Sequence, residues 1–124
     1  MSRLLVLGRA LVGVLFFWAG VDKLLGWPQA LAEVAGAGLP VPELLLALTI
    51  LLQLAGGAAL IAGRLVLPAA LALAAFTALA TVLFHDFWNA EGPARHAQLI
   101  PFMEHIAIIG ALLMASALPT DRHR

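Results

Sequence analysis

Thr81 to Gly110 reads TVLFHDFWNAEGPARHAQLIPFMEHIAIIG. One apolar run ends in His85-Asp86, a short polar crossing follows, and Glu104-His105 sit just inside the next apolar run. Three of the four histidines (His85, His96, His105) and three of the seven acids (Asp86, Glu91, Glu104) fall within this stretch. Two apolar helices joined by a polar crossing is the reading that decides the fold. The rest of the chain repeats the apolar half of that pattern.

The chain has 124 residues, which fits one domain. It is 63% hydrophobic and 11% charged, with a mean hydropathy of +1.01. An ordinary soluble domain is roughly 45–50% apolar and about 25% charged. A soluble fold this small cannot hide so much apolar surface, because small domains bury the smaller fraction of theirs. A bilayer accepts it. Formal net charge is zero, so no basic face points to nucleic acid. There is no cysteine, which excludes disulfides, thiolate metal sites and a thiol relay carried by this chain.

Four apolar runs, at about 4–25, 43–62, 65–84 and 99–118, each approach the ~20 residues needed to cross a bilayer. The first resembles a signal peptide in having Arg3 before an apolar run. It lacks a small-x-small cleavage site and carries bulky Phe16-Phe17-Trp18 near its end, so we read it as a retained helix. Between the first and second runs, Trp27 suits an interface and Pro28 the first turn of a short helix over Ala30 to Ala35. Gly36 or Gly38 would end that helix, and Leu39-Pro40-Val41-Pro42 predicts an extended entry to the second span. Small residues predict close helix packing: Gly56-Gly57-Ala58-Ala59 in the second span, Ala70, Ala74 and Ala78 in the third, and Ala107, Gly110, Ala111 and Ala115 in the fourth. The expected architecture is all-α, a four-transmembrane-helix bundle with a short interfacial helix between its first two spans.

Four crossings put both termini on one side of the membrane. Arg3, Arg9, Arg64, Arg122 and Arg124 share that side, against Lys23 and Arg95 on the other. The positive-inside rule then places both termini in the cytoplasm of a bacterial inner (plasma) membrane. Every acid except Asp121 belongs to the outer half, so the clustered polar chemistry faces outward.

An ionisable group at membrane depth is a functional suspect by default. Arg9 lies one to two turns inside the first span and is expected to snorkel to the near interface, with pairing to a buried acid as the sharper alternative. Gln53, near the middle of the second span, reads as a structural link between helices before it reads as a ligand contact. Lys23 at a helix C-terminus is accounted for by the dipole, or else holds an anionic group at the outer mouth. His85 and His105 fall on the same side, and with Asp86 or Glu104 would form a ligand-binding or proton-exchanging site. The two histidines are also the candidate ligands for a metal or haem. Without HExxH or HxxxH spacing, that reading is outweighed by interfacial residues wetted by headgroup water. Trp18, Trp27, Trp88, Phe84 and Phe87 suit an aromatic belt. Glu91, Arg95 and His96 look like solvated loop residues, and His123 belongs to a frayed tail.

With these residues in view, the chain resembles the DoxX family of small bacterial membrane proteins over nearly its whole length. Gly8-Arg9 opens the first helix, which ends in Ala19-Gly20-x-x-Lys23. Gly38-Leu39-Pro40 follows, and Gly56-Gly57 leads through Gly63 to Arg64. The third helix ends Leu83-Phe84-His85-Asp86-Phe87-Trp88, followed by Glu91-Gly92. The fourth begins Phe102-Met103 and continues to Ile109-Gly110. Two positions depart from the family pattern. Gln53 stands where the resemblance leads one to expect glutamate, and Glu104-His105 stands where Lys-Asn is frequent. A salt bridge between those positions is thereby replaced, in expectation, by a Gln53–Glu104 hydrogen bond if the two face each other.

The resemblance implies a small subunit associated with quinone-linked thiosulfate oxidation, or with membrane oxidoreductase complexes and oxidative-stress resistance. Its first functional expectation is an accessory redox-complex subunit holding a quinone near the outer face through Lys23, His85, Glu104 and His105. Quinone is the cofactor this favours, over haem or metal. The second is a non-catalytic scaffold, assembly or lipid-interacting protein. Either accommodates the bilayer, complex partners or a homodimer; solute transport fits a single four-helix unit less well.

Overall fold

The structure, a computed structural model, describes residues 1–119. Arg122, Arg124, Asp121 and His123, used above for orientation and tail, lie outside the described residues. Four long helices form: α1 (Arg3–Leu25), α3 (Pro42–Ala62), α4 (Val66–Phe84) and α5 (Gly92–Ser116), with the short α2 (Trp27–Gly36) between the first two. Each long helix is apolar enough to cross a membrane. The bundle is all-helical, as expected. Inside it α1 packs along α3, α3 against α4 and α4 against α5, while α1 and α5 barely meet. The α2 helix lies over α3 and α1.

Without a hydrophobic drive between helices in lipid, association depends on close van der Waals contact and interhelical hydrogen bonds. The α1–α3 seam shows how this sequence achieves it. A Cβ on Gly57 would sit 2.6 Å from the Phe17 backbone nitrogen and 2.7 Å from the Gly13 carbonyl oxygen. The two backbones are therefore in direct contact. On the neighbouring face of α3, Gly56 receives the side chain of Leu73 from α4. Phe16, Leu60, Val66, Ala70, Leu73, Ala74, Leu112 and Ala115 close into one apolar core, drawn from all four spans. Of the expected small-residue stripes, Ala70, Ala74 and Ala115 are buried, whereas Ala78 and Ala107 face outward.

Three local features stand out, two of them against expectation. First, α5 begins at Gly92, not near Leu99, so Arg95 and His96 are exposed helical residues. Hydropathy marks where a helix enters lipid, but Pro93 in the first turn and the helix formers after it mark where it starts. Second, within this span Pro101, which the sequence reading did not single out, sits inside the helix and has no N–H to donate to the Ala97 carbonyl. Third, Val41 is not extended. It sits in the left-handed region at φ 41°, and its carbonyl accepts from Leu45 N–H at 3.1 Å. This sharp corner turns α2 back over α3. At the other end Gly63, φ 77°, caps α3 through its N–H to the Ala59 carbonyl, and Leu65, φ 52°, is the residue before α4.

Candidate functional site

The α4 helix carries Thr77 and Thr81, and His85 is its C-cap residue; the four-residue spacing sets the three along one side of the helix, the threonines roughly 6 Å apart along the axis. That face meets α5. The Thr81 hydroxyl donates to the Thr77 carbonyl at 2.6 Å, and Thr81 Oγ1 lies 3.0 Å from His105 Nδ1. Because the hydroxyl proton is directed at the carbonyl, Thr81 Oγ1 accepts from His105 Nδ1–H. His85 Nδ1 lies 3.0 Å from Gln98 Oε1, an acceptor, so His85 also donates from Nδ1. The two rings meet edge to face at 4.8 Å between centroids. With each Nδ1 bearing its proton, the neutral form of each ring keeps an Nε2 lone pair available for a proton or a ligand hydroxyl.

The crossing above this pair is braced by aromatic contacts. Phe87, Trp88 and Phe102 stack mutually edge to face with centroids 5.1 to 5.7 Å apart, and the Arg95 guanidinium lies 5.5 Å from the centre of the Phe87 ring. These rings clamp the 3₁₀ turn Phe87–Asn89 onto α5. Phe87 thus does more than line an interfacial belt. Asp86 faces this turn, where its Oδ2 accepts from Asn89 Nδ2 at 3.0 Å.

The other candidates are distributed differently. Lys23 is half-buried on α1 with Asp22 and Glu33 as its charged neighbours, next to an acidic hollow of about 110 Å³ lined by Asp22, Gly26, Gln29, Ala30 and Glu33. No hydrogen bond among the described residues ties Lys23 to the histidines. Glu104 is exposed on α5 while Gln53 is buried inside the bundle, so the expected Gln53–Glu104 hydrogen bond does not form. Gln53 is 4% exposed, and its Oε1 has no partner among the described residues; the same holds for Thr77 Oγ1, in a residue 5% exposed. Histidine and acidic side chains form no group of three that would hold a metal ion among the described residues.

Arg9 corrects the snorkelling expectation. It is 7% exposed, and its Nε–H donates to the Leu60 carbonyl at 2.8 Å. Leu60 lies in the last turn of α3, where carbonyls have no intrahelical partner and the dipole is negative. The guanidinium therefore turns inward and caps a neighbouring helix instead of reaching back to water. Sequence reasoning also passed over Thr77, Thr81 and Gln98. The signal was available: Thr77-x-x-x-Thr81-x-x-x-His85 is a four-residue polar period inside an apolar run.

Comparison with known proteins places this arrangement. The family model described as DoxX matches residues 4–86, which takes in Arg9, Gln53, Thr77, Thr81 and His85 and ends before α5. Inner membrane protein YqjF of Escherichia coli (strain K12) is 35% identical over 109 residues, covering 88% of this chain and 78% of that protein. Inner membrane protein YphA of the same organism is 25% identical over 111 residues, covering 90% and 79%. No solved structure matches. Four membrane-length helices, the family match over the first three spans and these two inner-membrane relatives agree, and the chain belongs to the DoxX family of membrane proteins.

Proposed function

We propose that this protein is an accessory subunit of a membrane redox complex that receives the headgroup of a quinol at the end of the bundle holding α2 and the 85–91 crossing. The observation that supports this most is the histidine pair. His85 at the end of α4 and His105 on α5 meet ring to ring, and Gln98 and Thr81 engage their Nδ1 atoms, so that neither Nε2 has a hydrogen-bond partner among the described residues. Two acceptor nitrogens suit a dihydroxy headgroup better than its oxidised dicarbonyl form, because carbonyls have no proton to donate. On oxidation the quinol loses two electrons to the partner's redox centre and two protons, taken in turn through His85 and His105 to the aqueous face. Apolar walls with a few convergent polar groups are the usual make-up of such a site.

The test is quinol binding to the detergent-purified protein, read from quenching of tryptophan fluorescence. We expect saturable binding that falls at least tenfold in His85→Ala and in His105→Ala while thermal unfolding and yield stay near wild type. Wild-type protein that binds no quinol rejects the proposal. A second reading, a scaffold for another membrane protein, draws on Glu104: a carboxylate exposed on a membrane helix calls for a covering partner. That reading gains if Glu104→Gln abolishes association with a co-purifying protein and leaves quinol binding untouched.

A further inference from the structure

The polar face of α4 does not stop at the histidines. Thr81, one turn below His85, donates its hydroxyl to the carbonyl four residues back, as threonines in membrane helices commonly do. Thr77, one turn deeper, has the same option with Leu73 and does not take it; its Oγ1 is buried without a partner among the described residues. Gln53 Oε1 on α3 is in the same condition. Helix register brings the two to one level. Gly56 of α3 contacts Leu73 of α4, and the helices run antiparallel, so one turn towards the α2 end of the bundle leads to Gln53 on one helix and Thr77 on the other. Two buried oxygens on neighbouring helices, neither with a partner among the described residues, are costly to leave so, and a bound group bonding both resolves the cost.

We propose that Gln53 and Thr77 form a buried binding position between α3 and α4 for a hydroxyl group, carried by water or by an amphiphile. Gln53 Oε1 accepts only, so the occupant donates to it, and a hydroxyl is the smallest group that does this while also bonding Thr77 Oγ1. The position sits at the inner end of the line Thr77, Thr81, His105 and His85, which connects it to the polar crossing. It stands on the buried oxygens alone and survives if the histidine pair binds no quinol.

Two readouts on wild-type protein and on Thr77→Val and Gln53→Leu test it. One is organic extraction with mass spectrometry; the other is infrared difference spectroscopy in H2¹⁸O against H2O. A hydroxyl-bearing amphiphile extracted from wild type and depleted at least tenfold in Thr77→Val supports the position and identifies an amphiphile as the source. No such amphiphile, but a sharp ¹⁸O-sensitive O–H band in wild type that is lost in both variants, supports it with water as the occupant. In either case each variant melts several degrees below wild type, although valine is isosteric with threonine. A Tm unchanged or raised in the variants overturns the proposal, since removing unpartnered buried oxygens would then relieve a penalty. If the variants do not fold, wild type decides: neither amphiphile nor band overturns it.

Discussion

Arg9 and Gly57 show how single side chains, or their lack, hold this bundle. The Arg9 guanidinium satisfies a carbonyl at the end of α3 from inside the bundle. Arg9→Met keeps much of the apolar stem but removes a charged hydrogen bond of about 1.5–3 kcal/mol. We expect destabilisation of that order in thermal unfolding. Arg9→Lys should restore only part of it, since an ammonium lacks the planar Nε–H that meets the Leu60 carbonyl. At Gly57 a methyl group meets main-chain atoms that cannot swing aside. Gly57→Ala should therefore cost about 1–3 kcal/mol by overpacking. Gly110→Ala meets nothing within 4 Å and should be neutral or stabilising by roughly 0.5–1 kcal/mol through helix propensity. Parallel melting curves of the two alanine variants check the contrast. A Gly57→Ala protein as stable as wild type would mean that α1 and α3 are further apart than described.

Among the four long helices, α5 is the most weakly held. Of its 25 residues only Leu112 and Ala115 are buried, both near its C-terminal end, and Pro101 leaves the Ala97 carbonyl without its helical partner. The upper half is fixed instead by the Phe87–Trp88–Phe102 cluster and the bonds of Gln98 and His105. Local opening follows contact density, so amides of α5 between His96 and His105 should exchange with deuterium well before those of α3 between Ile50 and Leu60. Equal protection in the two helices would refute this. Leu112→Ala should release α5 from the core at about 2–5 kcal/mol, because the surrounding helices cannot collapse fully into the space. An upper half that opens readily would suit the headgroup site proposed beside His105.

For the whole molecule, the sense of insertion follows from charge. The excess of arginines on the side of the termini predicts that both ends face the cytoplasm. Because the chain has no cysteine, single introduced cysteines report position without background. Asn89→Cys in intact cells should react with an impermeant maleimide, whereas Ser2→Cys should react only after lysis. The reverse pattern would put the histidine pair on the cytoplasmic side.

Membrane class, four spans and the short helix between the first two were legible in the sequence, because length and hydropathy are properties of each segment alone. So was the concentration of polar chemistry around the 85–98 crossing. Where side chains point was not. Arg9 reads as a snorkelling residue until α3 ends beside it with a free carbonyl. Gln53 and Glu104 read as a pair until the rotation of α5 leaves Glu104 outside. His85 and His105 are merely two histidines until antiparallel packing of α4 on α5 brings their rings to 4.8 Å. The apolar pattern of a membrane helix is satisfied at almost any rotation about its axis, since lipid is as apolar as the core. Helix existence is therefore written along the chain, while rotation and register, and with them the site, are decided only by contacts between helices such as Gly13 on Gly57 and Leu73 on Gly56.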